Sequence, residues 1–401
     1  MSRLDGLIQK YCPNGVVYKY ISDICEITRG IVLSKDYINQ HKGEYPVYSS
    51  QTENNGCLGK IDSFNFDGEY ITWTTDGANA GTVFFRNGKF SITNVCGLLA
   101  VIDDKINVKF LFYVLSIETK KYVNRGMGNA KLMSNVMSKI KVPVPPLPVQ
   151  EEIVRILDSF TKFNEELIKE LTKELINRKK QHEYYRDELL NFDKINKYCP
   201  NGIKYKKLEE FATINRGGSL QKKDFVDEGI PCIHYGQIYT KYGLFADKTF
   251  TYISEKIASK QKFAEKNDIV MAVTSENLKD VCSCLAWLGN EKIAISGHTA
   301  IIHHNQNAKF MSYYFHSIHF QKQKNKLAHG TKVIEVTPSK LKNIIIPIPS
   351  IVEQECIVDI LDKFEVMYNN LYSEISAEIE ARKKQYEYYK DKLLTFKELK
   401  Q

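Results

Sequence analysis

No apolar run in the 401-residue chain approaches the roughly 18 residues that a membrane-spanning helix needs. The expectation is a chain outside the membrane. Disulfide frameworks are also missing: the nine cysteines are odd in number and scattered, and no signal-peptide pattern precedes them, so they read as reduced thiols in a cytoplasm. Catalytic signatures are absent too, with no P-loop and no Pro-Pro-aromatic tetrapeptide of the kind methyltransferases carry. The fragment GMGNAK lacks the preceding strand and Gly-spaced helix of a phosphate-binding loop. Glu118-x-Lys120 and Glu398-x-Lys400 lack the Pro-Asp strand of a nuclease. What remains is a soluble globular composition, 43% hydrophobic and 26% charged, with a net charge of +8 that favours an anionic partner.

Glycine and proline vanish from two long stretches, Gln150 to Phe192 and Gln354 to Phe396, and these are copies of one another. QEEIVRILD matches QECIVDILD, and RKKQHEYYRDELLNF matches RKKQYEYYKDKLLTF, at a constant offset and without a gap. Apolar residues recur at helical spacing: Ile153, Leu157, Phe160, Phe163, Leu167, Leu171 and Leu175, then Tyr185, Leu189 and Phe192. Ile357, Leu361, Phe364, Met367, Leu371, Ile375, Ile379, Tyr389, Leu393 and Phe396 repeat the stripe. Each stretch predicts an unbroken helix about 65 Å long. A stripe of that length needs a partner, and the other copy carries the same stripe.

The segments before the helices match only at their ends. Tyr11-Cys12-Pro13-Asn14-Gly15 returns as Tyr198-Cys199-Pro200-Asn201-Gly202, Ile27-Thr28-Arg29-Gly30 as Ile214-Asn215-Arg216-Gly217, and Lys109-Phe110 with Tyr113 as Lys309-Phe310 with Tyr313. Between these points the first segment predicts strands at Pro46-Val47-Tyr48, Tyr70 to Trp73, Thr82 to Phe85 and Leu98 to Val101, with turns at Asp67-Gly68, Asp76-Gly77 and Asn87-Gly88. A helix near Phe110 to Asn124 follows. The second predicts strands at Ile269 to Val273 and Thr299 to Ile302 and a helix from Phe310 to Lys326. The tracts PVPPLP and PIPSI predict extended hinges leading into the helices. The fold class is therefore α+β, with two mixed α/β globules separated by a two-helix antiparallel coiled coil. The short linker Asp193 to Lys197 forces the second helix to start near where the first ends. Because the tail Lys397 to Gln401 repeats that linker, the chain is pseudo-two-fold and quasi-circular.

These motifs resemble the specificity subunit of type I restriction-modification systems, and the resemblance covers nearly the whole chain. It implies two target recognition domains, 1–149 and 193–349, each reading one half of a split double-stranded DNA sequence. The helices, 150–192 and 350–401, would be a spacer and would dock two copies of a modification (methyltransferase) subunit, with restriction/translocase subunits joining the complex. The chain itself would be non-catalytic and bind no cofactor; its partners would bring S-adenosylmethionine, ATP and Mg. A rod pair of this kind is a ruler worth one to two turns of DNA, about 35 to 65 Å.

Base reading needs polar and basic side chains on loops beside a rigid sheet. In the first globule the candidates are Arg29, Lys35, Ser49, Ser50, Gln51, Thr74, Thr75, Asp76, Asn79, Arg86, Lys89, Arg125, Asn129 and Lys131. In the second they are Arg216, Lys222, Lys223, Tyr235, Gln237, Tyr239, Lys241, Thr274, Ser275, Lys279, Thr331 and Lys332. Arg178, Lys179 and Tyr184, with Arg382, Lys383 and Tyr388, are the candidate partner contacts, because the two copies nearly agree there. A bland alternative makes Arg29 and Arg216 structural turn residues and the tyrosines sheet caps. Cys232-x-His234 with Cys282-x-Cys284 offers four zinc ligands, although this spacing suits strands better than a knuckle and the first globule has no counterpart. Two other readings compete: a self-contained nuclease or methyltransferase, and a coiled-coil scaffold for proteins.

Overall fold

The computed structural model describes residues 2–126, 128–195 and 202–399. Tyr198 to Asn201 of the second YCPNG, together with Met1, Met127, Asn196, Lys197, Lys400 and Gln401, lie outside them. Two compact units result, Met1–Leu171 with Ala377–Gln401, and Thr172–Ser376. This division runs inside each long helix.

The first unit is built on a six-stranded sheet in the order Cys25–Arg29, Cys96–Val101, Phe66–Thr74, Val83–Ile92, Lys42–Tyr48, Cys57–Ile61. The four expected strands all lie in it. Two expected turns do not form: Asp67-Gly68 and Asn87-Gly88 face each other inside one ladder, Gly68 opposite Gly88. Both glycines take positive φ, which lets the paired strands kink without a steric penalty. The true reversal lies at Asp76-Gly77, because the apolar run up to Trp73 is buried and must stay paired. Trp73, Phe110, Leu111 and Leu115 form the core with Val149, Ile153 and Leu157 of the long helix.

In the second unit the equivalent sheet is split. One part runs Ala212–Arg216, Thr299–His304, Ile269–Ala272, Cys284–Trp287, Phe245–Ala246; the other runs Phe225–Val226, Thr251–Ile253, Ile230–Ile233, Ile293–Ile295, Lys262–Ala264. The expected single helix from Phe310 is two, Ala308–His316 and Ile318–Leu327, because Ser317 takes extended φ/ψ and caps the second through Phe320 N.

The long helices run Leu147–Leu189 and Ile351–Leu394, a few residues earlier than the apolar stripe suggested. Pro148 sits in the first turn, where its missing N–H costs nothing. Each proline tract begins in a paired strand and passes within two residues into the long helix. Lys141–Val144 pairs with Val17–Tyr20, and Ile345–Ile348 with Lys204–Lys207. Within each unit the helices pair antiparallel: Phe160 meets Tyr389 while Thr161 meets Tyr386 in the first, and His182 meets Tyr368 while Tyr185 meets Phe364 in the second. The seam is narrower than the stripe. Phe163 and Met367, at matching positions, stay 61% and 67% exposed, because two helices bury only the residues that face each other. The C-terminal tail closes the first unit: Val16 N donates to Lys397 O, Leu399 N to Val16 O, and Tyr18 Oη to Phe396 O.

One repeated contact fastens each globule to its helix. Gln150, fully buried, accepts from Asn107 N at 2.8 Å and donates to Lys105 O and Pro145 O at 2.8 and 2.6 Å. Asn107 in turn caps the helix Val108–Glu118, whose Lys109 and Tyr113 both reach Asp158, each at 2.6 Å. The second unit repeats the joint, with the side-chain oxygen of Gln306 in place of the Lys105 carbonyl. Gln354 holds Asn307 N, Gln306 and Pro349 O, and Lys309 and Tyr313 reach Asp362. Replacing Gln150 with Leu leaves the buried Pro145 O and the half-buried Asn107 N and Lys105 O without this partner, and costs the first unit about 3 kcal/mol. Asp158→Asn, at a site more than a third exposed, costs under about 1 kcal/mol. Denaturant unfolding of the two variants measures the difference; equal losses would contradict the account.

Candidate nucleic-acid interface

In the first unit, loops at one edge of the sheet are tied into a continuous cluster. Arg29 ends its strand and donates from Nε to Asn94 O at 3.2 Å. Thr93, beside Asn94, donates to Ser49 Oγ at 3.1 Å. Gln51 donates to Cys57 O, and the neighbouring Thr52 hydroxyl accepts from Asn79 Nδ2 at 3.0 Å. Asn79 sits on the turn that begins at Asp76, which bridges Lys131. Lys131 and Asn124 exchange two backbone hydrogen bonds at 2.9 Å, making a hairpin that displays Arg125 and Asn129 to solvent. The structure thus brings together Arg29, Ser49, Gln51, Asp76, Asn79, Arg125, Asn129 and Lys131. Ser50 is partly exposed within the same loop, and Lys35 is exposed on the helix Lys35–Gln40. Lys89 lies apart on the paired-glycine kink, its ammonium 4.7 Å from the Phe64 ring.

Three candidates of the first set are buried and are corrected here. Thr74 and Thr75 point inward, and their hydroxyls hold Asn79 O and Val95 O to shape the turn. Arg86, 3% exposed, donates to Thr72 Oγ1 and lies 3.5 Å above the Tyr48 ring. Burial lowers its affinity for its proton. Alternation along a strand reads such a position as outward, but Tyr48 at the end of a neighbouring strand and the turn at Gly56 cover it.

The second unit assembles an analogous but different set. Arg216 donates from Nε to Gly297 O at 2.8 Å and pairs with Glu335 at 3.0 Å. Ile334–Glu335 pairs with Thr274–Ser275, and the Tyr239 hydroxyl donates to Thr274 O at 2.7 Å. His298 lies 3.1 Å from Thr274 Oγ1, and its ring sits 5.0 Å from that of Tyr235. Lys279, Thr331 and Lys332 are exposed on the flanking loops, as are Lys222, Lys223 and Lys241. Gln237 and Thr274 are corrected: both are buried. Gln237 accepts from His234 N and donates to Thr251 Oγ1, closing a helix start, and Thr274 belongs to the strand pair. Half-buried Tyr239 spends its hydroxyl on the backbone.

Arg29 and Arg216 therefore play the same local part, each bracketing the turn opposite with its Nε. The glycine that follows explains the shared Arg-Gly. A Cβ at Gly30 would collide with Ile92 O, and one at Gly217 with Ser296 O. The opposing turns, Thr93-Asn94 and Gly297-His298, were overlooked in the sequence. Their signal is faint, a hydroxyl residue directly after a buried strand in both halves, Thr93 after Ile92 and Ser296 after Ile295. As for zinc, Cys232 packs in one hydrophobic cluster and Cys282 and Cys284 in another, so the proposed ligands are not brought together. Burial raises Cys282 to about 12. Among the described residues, no group of three or more His, Cys, Asp or Glu is placed to hold a metal, and no helix is long and apolar enough to cross a membrane.

The candidate partner contacts lie on the long helices. Arg178 and Arg382 are tied along their own helices to Glu174 and Glu378, each at 2.7 Å. Lys179 and Lys383 are exposed. Tyr184 and Tyr388 are 60% and 62% exposed, edge-on to Tyr185 and Tyr389.

Two sheet-borne loop clusters on helix-anchored units define a class of protein that the comparisons identify. The family described as the type I restriction modification DNA specificity domain matches residues 13–177 and 200–381. The chain belongs to that family. A Mycoplasma pneumoniae protein provisionally named a type I specificity subunit is 35% identical over 376 residues, covering 93% of this chain and 96% of that one. The type I restriction enzyme MpnII specificity subunit of the same organism is 47% identical over 172 residues, covering 43% of this chain and 52% of that one. Among solved structures, a chain from a study of complex assembly and conformational transition of the type I R-M system aligns with a TM-score of 0.68 at 17% identity, covering 95% and 98% of the two chains. The HsdS subunit from Thermoanaerobacter tengcongensis aligns with a TM-score of 0.52 at 15% identity, covering 96% and 97%. These two likenesses are of fold.

Gly30→Ala should push the bracketed turn away from Arg29 and cost about 1–3 kcal/mol, with Gly217→Ala doing the same in the second unit. Melting temperatures compared with Gly6→Ala, whose Cβ meets open space, check this.

Proposed function

We propose that this chain recognises a bipartite DNA sequence on behalf of a type I restriction-modification complex, the first cluster reading one half and the second the other. The observation that carries the reading is that each unit holds its own set of exposed cations and amides on loops braced by a sheet, and the two sets differ in residue type. Arg29, Lys35, Arg125 and Lys131 would meet phosphates or guanines on one side; Lys222, Lys223, Lys279 and Lys332 on the other, with Asn79, Gln51, Asn129, Tyr235 and Thr331 available to base edges. The long helices set the spacing between half-sites. Their exposed Phe163, Met367, Tyr184, Tyr388, Lys179 and Lys383 dock two copies of a modification subunit, apolar and cationic surface being what a stable partner would cover. In this reading the chain is not itself an enzyme and works in the cytoplasm. S-adenosylmethionine, ATP and Mg arrive with modification and restriction subunits.

Selection of bound sequences from a random duplex library tests the reading. The wild-type chain should return two short motifs at one fixed separation. Arg125→Ala with Lys131→Ala should lower the salt dependence of affinity by up to about two phosphate contacts and relax only the first motif. Arg86→Ala should instead lower the melting temperature and leave that salt slope unchanged. Inserting one heptad in each long helix should alter the separation and keep both motifs. Loss of both motifs in the loop variant, or an unchanged separation in the insertion variant, would contradict this division of roles.

A further inference from the structure

Lys324, on the helix Ile318–Leu327, is fully buried, yet its ammonium meets no carboxylate at hydrogen-bond distance among the described residues. It donates instead to three backbone carbonyls, Leu278 O and Lys279 O at 3.0 Å and Val281 O at 2.8 Å. Three protons and three acceptors match, so the charge is satisfied entirely by one loop. That loop leaves the strand Ile269–Ala272 and returns as Cys284–Trp287. Its four residues Glu276 to Lys279 are exposed, so the carbonyls are drawn inward while the side chains are presented outward.

Comparison with the first unit shows why a clamp is needed. There the equivalent loop is closed by Thr74 N to Thr82 O and Gly81 N to Thr74 O; here by Ala272 N to Ser283 O and Cys282 N to Ala272 O. The segment between these anchors is longer in the second unit, Val273 to Val281 against Thr75 to Ala80. The left-handed position at its end holds Gly81 in the first unit (φ 82°) and Cys282 in the second (φ 67°), a conformation a side chain resists unless its surroundings impose it. In the first unit neutral hydroxyls suffice, those of Thr74 and Thr75 on Asn79 O and Val95 O and that of Thr119 2.7 Å from Gly81 O. A longer loop with a strained non-glycine corner receives three charge-assisted bonds instead. Burial disfavours the charged ammonium and lowers its proton affinity; packing alone would be served as well by methionine. The cation is thus placed for the carbonyls it orders.

We propose that Lys324 is a positioning residue that sets the conformation of the Thr274–Ser283 loop and thereby the bases the second unit selects. The proposal rests on the DNA-reading assignment above. Lys324→Met keeps the length and removes the donors. In the full chain, trypsin should cut after Lys279 more than 10-fold faster than in the wild type, and the random-library motif should become degenerate in the second half-site only. The first half-site serves as the internal control for folding. An unchanged cleavage rate, an unchanged second motif, or equal loss of both motifs with a lowered melting temperature would each overturn the positioning role; Lys324→Gln is read by the same assays if the methionine variant does not fold. A wild-type chain that selects no motif would remove the DNA reading, while the cleavage rate would still decide whether the clamp exists.

Discussion

Everything in each unit is referred to a glutamine that has no contact with solvent. Gln150 and Gln354 open the long helices by using the amide at both ends, accepting from the residue that caps the short helix and donating to carbonyls on either side. A planar amide with all its partners supplied tolerates little displacement, since any slip leaves a buried polar group unpaired. The ion pair and phenol on Asp158 or Asp362 then hold the second and sixth residues of the short helix, so its first two turns are fixed against the long one. The sheet packs on the short helix and inherits its orientation.

This explains the pattern of sameness in the sequence. QExIVxILD and the Lys-Phe-x-x-Tyr pair are identical in chemistry because they are the two sides of one joint. Between Gly30 and Asp104 nothing of that joint is made, and there the halves diverge. The glycine after each arginine is retained for the same kind of reason, as the only residue that fits beneath a carbonyl.

The long helices and the main strands were legible because each has a period that burial enforces, and the helices' opposite directions because only a short linker, Asp193 to Lys197, separates the first helix from the second globule. Individual sites were not. Arg86 lies on a strand where alternation marks it as outward, yet Tyr48 and the turn at Gly56 roof it over; no local pattern records that. Asp67-Gly68 and Asn87-Gly88 carry turn residues, but a buried apolar run that must remain paired outweighs them and the glycines become kinks. Phe163 and Met367 have the right spacing for the seam and the wrong azimuth, which depends on where the partner helix lies. Of the loop candidates, those on irregular segments between strands are exposed or partly so, while those adjoining a buried strand, such as Thr74, Thr75 and Thr274, are consumed in holding the loop.

That last distinction bears on how such a surface can vary. In both units the loops are braced from beneath by side chains turned away from solvent: Thr74, Thr75 and Thr119 in one, Lys324 with the half-buried Tyr239 in the other. The exposed residues make few bonds to the scaffold and so are free to differ, whereas each bracing residue is matched to one loop length. Exchanging exposed loop residues is therefore energetically cheap, but changing the length of a loop requires a new brace. Cys282 in place of a glycine, with Lys324 in place of threonine hydroxyls, is what that second kind of change looks like when both parts have been made.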